Sequence, residues 1–262
     1  MPPLRIVPVL ADRGECIACE SSFYRALNAE SLLIERGRAK VPTVNQLALP
    51  HRNQAKYGVG TSHAVRSHVA GQPFHLYMIE DIYSRKIVGA DVYDSETGEL
   101  ASALLQRVTR LENFSSAGLV LHSDNGSPMK SFTMRAKMYD LGIIASHSRP
   151  RVSNDNPYSK SLFRTLKYCP SWPKHGFATI AEARKWVGRF VACYNSEHRH
   201  SKIKFVTPNQ RDYGLDTEIL QTRKELHELK KSENASRWSG STRNWEPITK
   251  VHLNPEKIHQ AA

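Results

Sequence analysis

Gly118-Leu119-Val120-Leu121-His122 offers water almost nothing polar, and it stops abruptly at Ser123-Asp124-Asn125-Gly126. A run this short and apolar suits a strand covered on both faces, and Asp-Asn-Gly is strong turn chemistry. Other segments must supply that cover. Phe74-His75-Leu76-Tyr77-Met78-Ile79 is a second apolar and aromatic run. After the turn-like Tyr83-Ser84-Arg85, Lys86 to Tyr93 reads as its hairpin partner. Glu96 to Leu111 has helical spacing through Leu100, Leu104, Val108 and Leu111, and a second helix is expected over 127–140. A short strand, Ile143-Ile144-Ala145, precedes a polar loop ending at Pro157. Helices are then expected over Tyr158–Tyr168 and Thr179–Tyr194. The order β-β-α-β-α-β-α predicts an α/β fold, a mixed sheet flanked by helices.

The flanks differ in character. Residues 1–40 read as helical and basic, with Leu27, Leu32 and Leu33 in a periodic run and Gly37 as its stop. Residues 41–56 are polar, carry Pro42 and Pro50, and read as a linker. Beyond Pro208 a charged helix, 216–231, is expected to be a solvated face or a self-association surface. A Trp-bearing segment from Arg237 to Pro255 reads as a small β-hairpin.

Charge narrows the partners. Of 262 residues, 37 are Lys or Arg and 25 are Asp or Glu, a net charge of +12 that favours polyanions, nucleic acid first. An anionic membrane would call for a long basic amphipathic helix, which the sequence lacks. No stretch approaches the roughly 18 apolar residues of a membrane span, and Met1 to Leu10 lacks the pattern of a signal peptide. The expectation is a cytoplasmic protein of the bacterial cytosol or nucleoid, with no membrane partner and no small-molecule substrate. Cys16 and Cys19 form one CxxC while Cys169 and Cys193 stand apart, which reads as four reduced thiols rather than a zinc site.

Four stretches resemble one family. They are His122-Ser123-Asp124-Asn125-Gly126-Ser127-Pro128-Met129-Lys130, Ser148 to Pro157, Phe163 to Tyr168, and Tyr194-Asn195-Ser196-Glu197-His198-Arg199-His200-Ser201. The chain resembles the integrase-like DDE transposases encoded by the second reading frame of bacterial insertion sequences (the IS-three group). Asp81 to Gly89 and Arg237-Trp238-Ser239-Gly240 extend the likeness over nearly the whole chain. The resemblance implies an RNase H-like, retroviral-integrase-type core with a five-stranded mixed sheet over residues 57–212. It also implies a small helical DNA-binding extension over 1–40 and a C-terminal charged helix plus β-hairpin over 213–262. The implied reaction is DNA transposition, in which three acids and two Mg²⁺ ions drive in-line attack on a phosphodiester. Carboxylates suit this because Mg²⁺ prefers hard oxygen ligands, and two ions about 4 Å apart clamp the attacking and leaving oxygens.

Residue by residue, the triad is incomplete. Asp124, at the end of a buried strand, fits the middle acid. The third acid of the family lies 35 intervening residues later, at Lys160, between the matching Pro157-Tyr158-Ser159 and Leu162-Phe163-Arg164. The first acid falls near Thr61, and there is no acid between Tyr57 and Ile79. Asp81 and Asp155 occur in the family beside an intact triad, so neither implies compensation. A Lys–Asp contact at about 4 Å, with an effective dielectric near 20, supplies about 4 kcal/mol of attraction before desolvation. Lys160 can therefore pair with Asp124 and stand where a metal would. The expectation is weak or no Mg²⁺ binding and no strand transfer.

The remaining implications concern DNA. Lys130, Arg149, Arg151, Arg164 and Lys167 surround the site in sequence and would hold phosphates, with Arg199 a further candidate. Trp186, Phe190 and Tyr194 read as core. The implied partners are terminal inverted repeats and target DNA, with self-association or mixing into oligomers of an active transposase. Two functions compete: a transposase rendered inactive, or a non-catalytic DNA-binding inhibitor or repressor of a related active element.

Overall fold

The computed structural model describes residues 2–32, 57–69, 71–113, 118–149, 156–238, 240–251 and 253. In chain order the elements are α1 (Pro3–Ala11), α2 (Glu20–Ala29), β1 (Tyr57–Val65), β2 (Phe74–Asp81), β3 (Ile87–Tyr93), α3 (Gly98–Leu111), β4 (Val120–Ser123), α4 (Ser127–Lys130), α5 (Phe132–Asp140), β5 (Ile144–His147), α6 (Pro157–Lys167), α7 (Ile180–Ser196), α8 (Pro208–Asp212) and α9 (Asp216–Glu233). Contacts group them into two compact units. One holds Val44–Glu197 with Lys250–Ala262, and the other holds Met1–Thr43 with His198–Thr249.

The first unit is built on a five-stranded sheet of order β3-β2-β1-β4-β5. β1–β2 and β2–β3 pair antiparallel, whereas β1–β4 and β4–β5 pair parallel. This is the mixed sheet flanked by helices that the element order predicted, with the five strands that the resemblance implied. Side chains alternate across a strand, so a strand covered on both sides reads as a continuous apolar run. β2 shows why. Leu76 and Met78 join Leu162, Leu166, Trp186, Val187 and Phe190 beneath α6 and α7. Tyr77 and Ile79 point the other way, into Leu104, Leu105, Val108, Met134 and Met138 of α3 and α5. The predicted core aromatics of α7 are buried, with Trp186 stacked on Phe190 at 5.5 Å.

Local chemistry shifts several expected details. In α3 the buried stripe is Ala101, Leu104, Leu105 and Val108, not the Leu100-to-Leu111 row, and Leu111 is 74% exposed. A Cβ at Gly89 would stand 2.3 Å from Val108 Cγ2, so glycine is what lets α3 lie this close on β3. The helix expected over 127–140 is two helices. Ser131 adopts an extended conformation (ψ 152°), and its hydroxyl accepts from Met134 N to start α5 afresh. β5 begins one residue later than expected and runs to His147.

The second unit contains α1, α2, α8 and α9. Contacts group residues 198–212 with this unit. The physical ties are within this unit: Asp12 accepts from Arg199 and from Arg223, and Arg223 is 0% exposed. The expected C-terminal β-hairpin is not found among the described residues, where 238–251 runs without strand pairing. Trp245 explains the difference. It is buried against Ile203, Val206 and Leu220, with the Arg243 guanidinium 4.8 Å over its ring, so side-chain packing fixes this segment instead of a ladder. Charged α9 also has a buried side, at Leu220, Arg223 and His227. The linker at 41–56 and the stop at Gly37 lie outside the described residues. All four cysteines are free thiols. Among the described residues, no helix is long and apolar enough to cross a membrane.

Candidate functional site

Parallel pairing of β1 with β4 brings the first two positions together. Gly60 lies opposite Ser123, so the next residues, Thr61 and Asp124, emerge side by side where β4 ends. Thr61 Oγ1 donates to Asp124 Oδ2 at 3.1 Å, and Gly126 N donates to Asp124 Oδ1 at 3.1 Å. The carboxylate is thus held by a neighbouring hydroxyl and by its own turn. Asn125 Nδ2 donates to the carbonyls of Ser148 and Arg149, at 2.9 and 3.2 Å, and ties this turn to the exit of β5.

The third position comes from α6. Asn156 caps the helix by accepting from Ser159 N, and Pro157 occupies its first turn, where no amide is needed. Leu162, Phe163 and Leu166 then face the core. That rotation sends Lys160, Arg164 and Lys167 outward along one stripe at i, i+4 and i+7.

These elements enclose a cavity of about 690 Å³ whose lining includes Thr61, Asp124, Lys160, Arg149, Arg164 and Lys167. Of the other DNA-contact candidates, Lys130 ends α4 exposed, near enough to His147 to help, after burial, lower its pKa. Arg151 and Asp155 lie outside the described residues. Arg199 belongs to the second unit, where it pairs with Asp12 and donates to the Phe205 carbonyl. Asp81 sits opposite Gly58 in the sheet and accepts from Ser84 N and Oγ, stabilising the turn into β3.

Sequence reasoning passed over His63, Asn156 and Ser159, which also line the cavity. His63 follows Thr61 by two on the same strand face, a period-two signal that was available. Its ring lies 4.6 Å from that of Phe163. Burial depresses the His63 pKa, Lys167 adds to the effect, and Asp124 opposes it.

The donor set does not fit Mg²⁺. That ion requires near-octahedral hard oxygens, commonly carboxylates, whereas these positions supply one carboxylate, one hydroxyl and an ammonium that accepts nothing. Among the described residues, no group of three His, Cys, Asp or Glu side chains is placed to hold a metal.

Residues 61–153 match one integrase core domain family and residues 141–208 match a second of the same description, so together the matches contain all three positions. Residues 61–208 thus resemble integrase core domains, and similar proteins include insertion-sequence transposases. It is 29% identical over 129 residues to the transposase for insertion sequence element IS904 of Lactococcus lactis subsp. lactis (strain IL1403), covering 49% of this chain and 50% of that protein. It is 30% identical over 145 residues to the insertion element IS600 uncharacterized 31 kDa protein of Shigella sonnei, covering 54% and 53%. The chain thus spans about half the length of these relatives. The catalytic core domain of BIV integrase aligns at 15% identity and a TM-score of 0.44, over 62% of this chain and 97% of that one.

Proposed function

We propose that this protein is an insertion-sequence transposase by descent that binds DNA without cutting or joining it. The observation that carries the reading is the Thr61–Asp124 hydrogen bond in a cavity also lined by Lys160. A site with three carboxylates would collect Mg²⁺ and present it to a phosphodiester. Here one carboxylate remains, and a hydroxyl proton and an ammonium stand at the other two positions. Neither replacement can offset the charge of two divalent ions, so the metal-dependent step is lost.

The basic balance of the chain persists without that step. A net charge of +12 and the cationic stripe of α6 favour the sequence-independent part of DNA affinity. Such a protein, acting in the bacterial cytosol, would occupy terminal inverted repeats or join the oligomers of an active element, and so inhibit it. A gel shift on the terminal repeats, with random DNA as competitor, tests the reading. The expected result is a retained complex with the repeats, and no preference over random DNA would sink the inhibitor role.

A further inference from the structure

We infer that the second unit carries a thiol modification site: Cys19, on the wall of a cavity between residues 16–22 and 227–243, takes up an anionic low-mass disulfide and is left as a mixed disulfide with it.

Position is the first support. Cys19 is the N-cap of α2, a helix of ten residues, and its side chain is exposed. The partial positive charge of a helix start favours a thiolate. The Ser22 hydroxyl lies 3.4 Å from Cys19 Sγ. That hydroxyl first, and then the Ser22 amide, lower the Cys19 pKa and enlarge its thiolate share. Cys16 lines the same cavity but is raised by burial, so the two thiols of the CxxC are unequal and Cys19 is the nucleophile.

The cavity is the second support. Its volume is about 560 Å³, within the range of small-ligand sites. Lys230, Arg237 and Arg243 line it against one acid among the described residues, Glu20, which Arg243 pairs. Lys230 meets Glu233 at the surface, whereas Arg237 gives one of its five donors to the Ile17 carbonyl and, among the described residues, keeps the others for a ligand carboxylate. His227 is the third support. It lines the same cavity at 4% exposure, and its Nδ1 has no hydrogen-bond partner among the described residues. An unpaired buried nitrogen is costly, and a polar group of an entering ligand would complete it.

The step balances. The Cys19 thiolate attacks one sulfur of the ligand, the ligand S–S bond breaks, and a new S–S bond forms to Cys19. The leaving thiolate takes up the proton that Cys19 released. The Cys19 sulfur is oxidised and the leaving sulfur reduced, so no further oxidant is needed.

The test incubates the reduced full chain with oxidised glutathione at neutral pH and locates the adduct from fragment ions in mass spectrometry. Cys19 should gain a glutathionyl group on the order of tenfold faster than Cys193. Cys193 is the reference, an exposed thiol raised by burial and then by Glu197. Cystamine, a cationic disulfide, should react at Cys19 more slowly than oxidised glutathione, and Arg237→Gln should narrow that difference. Added salt, which screens the cavity charge, should narrow it too and serves if the variant fails to fold. Equal rates at Cys19 and Cys193 would overturn the inference, as would equal rates at Cys19 with the two disulfides. An internal Cys16–Cys19 disulfide that retains no glutathionyl group would also overturn it, reassigning the pair to a dithiol that needs no ligand site.

Discussion

Thr61 Oγ1 donates a hydrogen bond to Asp124 Oδ2 across the parallel pair β1–β4, at 3.1 Å. The bond places a neutral donor against the one carboxylate that the metal chemistry would need. Thr61→Val keeps the shape and removes the donor. Urea unfolding should show a loss of about 1 kcal/mol, the usual net value of such a bond. An unchanged midpoint would mean that the bond does not persist in solution.

Metal affinity should return with the acids. Thr61→Asp with Lys160→Glu changes the three positions from one negative and one positive charge to three negative charges. Isothermal titration with Mg²⁺ should show binding by this variant and none by the wild-type protein. Equal heats from both would mean that the lost acids are not what governs metal binding.

In the second unit a buried arginine pairs with a partly exposed carboxylate. Arg223 is fully buried and donates to both oxygens of Asp12, at 2.5 and 2.9 Å, and to the carbonyls of Lys204 and Phe205. Removing Asp12 leaves the buried guanidinium with carbonyl partners only, so Asp12→Ala should cost about 2 kcal/mol, less than the loss of one partner of a fully buried pair. Thermal melting checks this, and a loss below 1 kcal/mol, the range of surface pairs, would show that the pair is solvated.

Acid should loosen the same unit. His198 is held down to about 4, first by burial and then by Arg5, whose Nη2 lies 3.4 Å from His198 Nε2. A depressed pKa means that the unfolded chain binds more protons between about 4 and 6.5. The stabilisation is therefore present above pH 6.5 and is lost as pH falls toward 4, by up to about 3 kcal/mol. Tm should drop between pH 7 and pH 5, and His198→Gln should flatten that drop. An identical drop in the variant would assign the acid sensitivity to other groups.

Much of the fold was legible because strands buried on both faces, such as β2 and β4, leave an apolar signature that solvated strands do not. The proposed triad positions rest on something else: Asp124 and Lys160 are linked by a fixed spacing within ordered motifs, and the parallel register places Thr61 beside Asp124. The break at Ser131 was not legible, because a serine inside a helix and a serine that caps a new one look alike until ψ is known. Neither was the fate of Trp245, since burial against Leu220 and Arg223 depends on contacts distant in sequence. That Asn156 and Ser159 line the cavity was hidden by their ordinary work as a helix cap and a first-turn residue.

The central claim is the absence of metal-dependent chemistry, and strand joining on terminal-repeat DNA with Mg²⁺ or Mn²⁺ measures it most directly. The wild-type protein is predicted to give no joined or cleaved product above the level of Asp124→Ala. Product that forms with the wild-type protein and disappears with Asp124→Ala would contradict the account.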